Sequence, residues 1–155
     1  PEEEKAAVEN MITLYKLAAD AAQTIDVHGC TDITGFGLLG HAYEMVAGTP
    51  VSFVLDLDQV PILKGVEDYA AMGIVPGGAR RNLQYIEEKI QWQGEVKPFE
   101  KDILCDPQTS GGLLFALAEK EALLYLDKLA EAGTKGFVIG HVNNKEPGKI
   151  IVKGK

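Results

Sequence analysis

The segment HGCTDITGFGLLGH, residues 28–41, places four glycines, two threonines and an aspartate between two histidines. It constrains the fold more than any other stretch. Glycine and aspartate break regular periodicity, so an element must begin or end here. Thr34 then reads as the N-cap of a helix over 34–47, closed by Gly48. Upstream, Val8, Met11, Tyr15, Ala18, Ala22 and Ile25 recur at three- and four-residue spacing, which predicts one amphipathic helix over 3–26.

Downstream, helical and extended patterns alternate. VSFVLDL (51–57) reads as a strand, and Pro61 opens a short helix ending near Gly73. GIVPGGARRN (73–82) reads as loop, and 83–93 fits neither period. KPFEKDILCDPQTSGG (97–112) reads as mostly loop, with a helical turn at 99–104. LLFALA (113–118) is a buried strand. Residues 119–132 form a helix on Leu123, Leu126 and Leu129/Ala130, stopped by Gly133. GFVIGHV (136–142) and KIIVKG (149–154) are closing strands. The expected class is α/β (α+β), a mixed β-sheet flanked by helices. No repeat, low-complexity tract or linker interrupts residues 1–155, which predicts a single domain.

Composition narrows function by exclusion. A formal net charge of −8 leaves no basic stripe to neutralise nucleic-acid phosphates. No apolar run is long enough for a membrane span. Two cysteines, Cys30 and Cys105, are too few for a disulfide framework and point to a reducing, cytoplasmic setting. Neither has a sequence context that lowers a thiol pKa, so both read as small buried hydrophobes. His28 and His41 are not spaced as metal ligands. His41 reads as structural, and His141 as a partly buried strand residue. Trp92, Tyr85 and Phe99 form either a core cluster or an exposed patch.

The opening stretch offers a ligand site. The first N–H groups of a helix lack internal partners and carry partial positive charge. Gly35 and Gly37 remove side chains where an anion could approach the backbone, with Thr34 and Phe36 in the same turn. Asp32 beside a phosphate would need a cation between them, which points to Mg²⁺. A plainer reading stays open: Asp32 shapes the turn, and the glycines permit close helix packing. Asp106, Gln108, Thr109, Ser110, Gly111 and Gly112 make a second polar glycine loop with free backbone N–H groups. PGGARRN adds a third, where Arg80 and Arg81 either contact phosphate or form a solvated edge.

TDITGFGLLGH, DPQTSGG and PGGARRN together closely resemble the C-terminal domain of the selenophosphate synthetases (selenide, water dikinases). That domain is of the aminoimidazole ribonucleotide synthetase C-terminal type. The resemblance spans nearly the whole chain, and Phe36, His41 and the 106–112 loop favour this family over its relatives. It implies an enzyme that makes selenophosphate, AMP and orthophosphate from ATP, selenide and water, with Mg²⁺. It implies that Asp32 is a magnesium ligand and that full-length members are homodimers. It also implies a preceding N-terminal ATP-binding domain that supplies further aspartates, a lysine and a reactive cysteine or selenocysteine. Those motifs do not occur in this chain, which opens on Pro1, so no catalytic residue is expected here and the chain alone is expected not to turn over. Two alternatives stand beside this reading: another ATP-dependent member of the superfamily, and a stand-alone nucleotide- or anion-binding domain.

Overall fold

A computed structural model describes residues 2–155. In chain order the elements are α1 (Glu2–Ile12), α2 (Lys16–Ala22), β1 (Val27–Asp32), α3 (Gly37–Val46), β2 (Ser52–Asp56), α4 (Val66–Ala71), α5 (Gly77–Ile86), β3 (Ile90–Gln93), α6 (Pro98–Leu104), β4 (Leu113–Leu117), α7 (Glu119–Glu131), β5 (Gly140–Asn143) and β6 (Ile150–Lys153). The α/β class holds, but the strands divide between two sheets. One has the order β3-β6-β2-β5, with β6 parallel to both β2 and β3 and β5 antiparallel to β2. The other pairs β1 with β4 antiparallel, Cys30 opposite Phe115 and Asp32 opposite Leu113.

The main core lies between α3 and the larger sheet. Leu39, Ala42 and Val46 recur at three- and four-residue spacing on α3 and pack with Phe53, Leu55, Ile150 and Val152. Each of these side chains apart from Ala42 contributes about 1.5–3 kcal/mol by leaving water. Ile86, Leu104 and Cys105 close the same core, so α5 and α6 are anchored beside α3. A smaller cluster of Ile25, Tyr125 and Leu129 joins α7 to the two-stranded sheet. There Phe115 meets Tyr125 edge-on, ring centroids 4.9 Å apart. Among the described residues no helix is long and apolar enough to cross a membrane.

Several expectations need correction. The helix expected over 3–26 is two helices. Thr13 Oγ1 donates to the Glu9 carbonyl at 2.6 Å, competing with the helix ladder, and the chain turns before Lys16. Neither α1 nor α2 has a fully buried residue, and Val8 and Met11 of the expected stripe are exposed. Residues 27–32 form a strand that the sequence hid, because Gly29 and Asp32 are poor strand formers. The helix after Pro61 begins only at Val66, behind Gly65 in a left-handed conformation.

Residues 77–82 are not loop but the start of α5. Pro76 presets the backbone at the N-cap, and Gly78 is needed because a Cβ there would lie 2.6 Å from Pro107 Cγ. Residues 113–117 are only half-buried, since a two-stranded sheet covers little. On α7 the buried positions are Tyr125 and Leu129, whereas Leu123 is exposed. The strand expected at 136–142 is confined to 140–143, and its His141 is exposed. Trp92 packs against the main core beneath the Lys101 ammonium, whereas Tyr85 is exposed, so these aromatics form no single cluster.

Candidate functional site

The three glycine segments converge. The chain runs on from the end of β1 at Asp32 into Ile33, which is buried and pairs with the second loop. Ile33 N–H donates to the Gly112 carbonyl, and Gly111 N–H donates to the Ile33 carbonyl, both at 2.9 Å. Gln108 N–H donates to the Thr34 carbonyl at 3.0 Å. Asn82, from the first turns of α5, ties in the third segment. Its amide donates to the Gly35 carbonyl at 2.9 Å and to the Cys105 carbonyl at 3.0 Å.

This convergence separates two uses of glycine. A Cβ on Gly37 would lie 2.6 Å from the Cys105 carbonyl carbon, and one on Gly111 would lie 2.8 Å from the Ile33 carbonyl oxygen. Those glycines, like Gly78, exist so that segments can touch. Gly35 differs: nothing lies within 4 Å of where its Cβ would be, so its backbone faces open space.

The donors follow the same division. Gly37 N–H is taken by the Thr34 carbonyl at 3.0 Å, so it does not face a ligand as expected. Gly111 and Gly112 N–H groups are likewise used internally, the latter by the Tyr15 hydroxyl at 2.8 Å. Among the described residues, the N–H groups of Thr34, Gly35, Phe36, Thr109 and Ser110 have no partner. They flank the line along which the two loops pair, and they are the groups able to receive an anion.

Side chains depart from expectation more than the backbone does. Thr34 does not cap α3, which begins at Gly37 behind Phe36. Its hydroxyl instead meets His41 Nε2 at 3.0 Å, while His41 Nδ1 lies 3.0 Å from Glu44 Oε2. With Nδ1–H given to Glu44, Nε2 accepts the Thr34 proton. His41 is thus a structural residue, as its position implied, and it orients Thr34. Phe36 folds back toward Gly40, where a Cβ would lie 2.6 Å from Phe36 Cβ. In the second loop Gln108 Nε2 donates to Asp106 Oδ2 at 2.7 Å, so both side chains serve the loop itself. Asp106 Oδ1 is buried without a partner, and that burial pushes its carboxyl above the ordinary range. Thr109 is exposed. Arg80 Nε sits 3.9 Å from Asp102 Oδ2, a long pair between an exposed guanidinium and a mostly buried carboxylate. Arg81 is exposed and has no hydrogen-bond or ion-pair partner among the described residues.

Asp32 ends β1 with its side chain exposed, and its carboxylate has no hydrogen-bond or ion-pair partner among the described residues. Among those residues no group of three His, Cys, Asp or Glu side chains could hold a metal. The chain therefore offers one carboxylate, not a cage. That fits Mg²⁺, which commonly takes one or two carboxylates and completes its shell with water and substrate phosphates. Sequence reasoning passed over Asn82, Asn10 and Tyr15, whose contacts reach across the chain and leave no local pattern.

The cysteines divide. Cys105 is buried as expected, and burial pushes its thiol up to about 12, with the Asp102 charge adding to the effect. Cys30 is exposed, contrary to expectation, because it sits on the open face of β1. Partial burial, then the Asp32 charge, raises its thiol too. Alkylation of the folded chain with iodoacetamide, read by mass spectrometry, is therefore expected to modify Cys30 alone, at a rate that rises with pH and stays below that of an ordinary thiol. Denaturant should release the second site. Equal labelling of both cysteines in the folded chain would contradict the burial of Cys105.

The family model described as AIR synthase related protein, C-terminal domain, matches residues 1–153. The chain belongs to this family. Among its curated relatives is "Selenide, water dikinase" of Clostridium botulinum (strain Alaska E43 / Type E3), 41% identical over 143 residues, or 92% of this chain and 41% of that protein. The protein of the same name from Caldanaerobacter subterraneus subsp. tengcongensis is 42% identical over 150 residues, covering 95% of this chain and 43% of its own length. That of Photorhabdus laumondii subsp. laumondii is 40% identical over 154 residues, covering 99% and 43%. The chain thus spans about two fifths of the length of the curated relatives it matches.

Proposed function

We propose that this chain is the C-terminal domain of a selenophosphate synthetase. The full-length protein then makes selenophosphate, AMP and orthophosphate from ATP, selenide and water. A preceding ATP-binding domain, outside this chain, supplies the remaining machinery. One observation carries the reading: Asp32 and the unpaired N–H groups of Thr34, Gly35, Phe36, Thr109 and Ser110 lie along a single hydrogen-bonded seam between two motif loops. Phosphoryl transfer is mainly positioning and charge neutralisation, and these groups can do both. Exposed Ile12 and Leu14 fit the same reading, since a domain cut from its neighbour leaves apolar surface uncovered.

Asp32 would give one carboxylate to Mg²⁺, which when bound neutralises phosphate charge. The N–H groups of Gly35 and Phe36 would receive phosphate oxygens, and those of Thr109 and Ser110 would receive an anion from the other side of the seam. Asn82 keeps the two loops in register. His41 holds Thr34.

The test is phosphorus NMR of the full-length protein incubated with ATP, Mg²⁺ and selenide. Selenophosphate and AMP should appear together, and the 155-residue chain alone should produce neither. ATP consumption without selenophosphate would move the protein to another ATP-dependent member of the superfamily. Turnover by the chain alone would overturn the two-domain reading.

A further inference from the structure

The loop that carries Thr109 and Ser110 is held on both sides. One side is the pairing with Ile33. The other is Tyr15, whose hydroxyl is hydrogen-bonded to Ser110 Oγ and accepts the Gly112 N–H at 2.8 Å. The Asn10 side-chain amide also donates a hydrogen bond to the Ser110 carbonyl at 2.9 Å. Tyr15 stands at the break between α1 and α2, as the N-cap of α2. That break leaves Leu14 81% exposed and gives up helical hydrogen bonds. What it places in the structure is a half-buried phenol against the loop.

We propose that Tyr15 is the positioning residue of the Ser110 loop, an inference that rests on the function proposed above. A phenol is a better donor than an aliphatic alcohol, so Tyr15 O–H donates to Ser110 Oγ while its oxygen accepts from Gly112. Ser110 therefore keeps its own O–H proton free and directed away from Tyr15. That proton, with the unpaired N–H groups of Thr109 and Ser110, is aimed at an anion: a phosphate oxygen of the nucleotide or of the phosphorylated product. Gly112, at φ +91°, has its N–H turned to Tyr15 and contributes nothing to the ligand directly. Tyr15 never touches substrate; it sets the rotor that does. Without it, the Gly112 N–H loses its partner and the Ser110 hydroxyl turns inward to satisfy the loop.

The test uses the full-length protein with Tyr15→Phe, Ser110→Ala and the double variant, assayed for selenophosphate formation and for thermal melting. Tyr15→Phe is expected to lower kcat/KM for ATP about tenfold, the scale of one lost hydrogen bond. Ser110→Ala should cost about the same, and the double variant no more than either alone. Ser110→Ala removes few packing atoms, so it keeps the test valid if the phenylalanine variant melts early. Multiplying losses in the double variant, or an unchanged kcat/KM with only a lower Tm, would reduce Tyr15 to a structural residue. An inactive wild-type protein would instead overturn the proposed function, and the positioning role with it.

Discussion

Asp32→Asn in the full-length protein is expected to lower selenophosphate formation by about 10²-fold or more, the scale on which removing a charge-stabilising group costs a reaction. The fold should not notice. Asp32 is exposed, ends a strand and has no partner among the described residues, so the amide replaces nothing that packs. Stability should move by no more than about 0.5 kcal/mol, as for surface substitutions away from special features. The substitution separates the two readings of the segment. Asparagine shapes turns as well as aspartate does, so a purely structural Asp32 predicts unchanged activity. A metal-binding Asp32 predicts loss, with partial recovery at high Mg²⁺. A built-in control sits two residues away: the Asp32 charge helps to raise the Cys30 thiol, so iodoacetamide should modify Cys30 faster in the variant. Full activity with faster Cys30 labelling would show that the charge was removed and that it did not matter, which would take Asp32 out of the metal shell.

What could be read from the chain beforehand depends on how far each residue's partner lies. The α3 stripe of Leu39, Ala42 and Val46 and the helix over 119–131 have their signals inside one element, and the α/β class follows from such signals. β1 does not. Its alternation is half-buried Val27, Gly29 and Thr31 against exposed His28, Cys30 and Asp32, and a glycine in the buried series carries no hydrophobic mark. The first part of α5, residues 77–82, reads as loop because Gly77 and Gly78 break helical propensity, while the contact that keeps Gly78 free of a side chain comes from Pro107. The motif segments were legible as polar glycine runs. Which glycines face a ligand and which face another segment was not, because that depends on Cys105, Ile33 and Pro107, each far along the chain. The single helix expected over 3–26 failed for a related reason: Tyr15 fits its apolar stripe by spacing, but its hydroxyl is needed by Ser110 and Gly112.

Gly37→Ala, compared with Gly35→Ala, tests that division directly. Gly37 has φ +70°, where a Cβ is strained, and the added carbon would lie 2.6–2.9 Å from the carbonyl carbon, carbonyl oxygen and Cα of Cys105. Backbone cannot step aside as a side-chain tip can. Left-handed strain costs about 1–2 kcal/mol and overpacking about 1–3 kcal/mol, so the chain should lose about 2–5 kcal/mol. For a domain of this size that lowers Tm by about 4–20 °C. Gly35→Ala meets nothing within 4 Å and has no positive φ, so its stability should stay within about 0.5 kcal/mol of the parent. The two alanines are expected to trade places in function. Gly37→Ala separates the first turn of α3 from Cys105 and so loosens the seam that Asn82 bridges. Gly35→Ala leaves that seam intact but puts a methyl group where the open backbone would meet phosphate, raising KM for ATP in the full-length protein. Denaturant melts of both variants and the ATP dependence of Gly35→Ala decide it. Equal stability would mean that α3 does not pack on Cys105 as closely as described. An unchanged KM would mean that Gly35 faces solvent rather than a nucleotide.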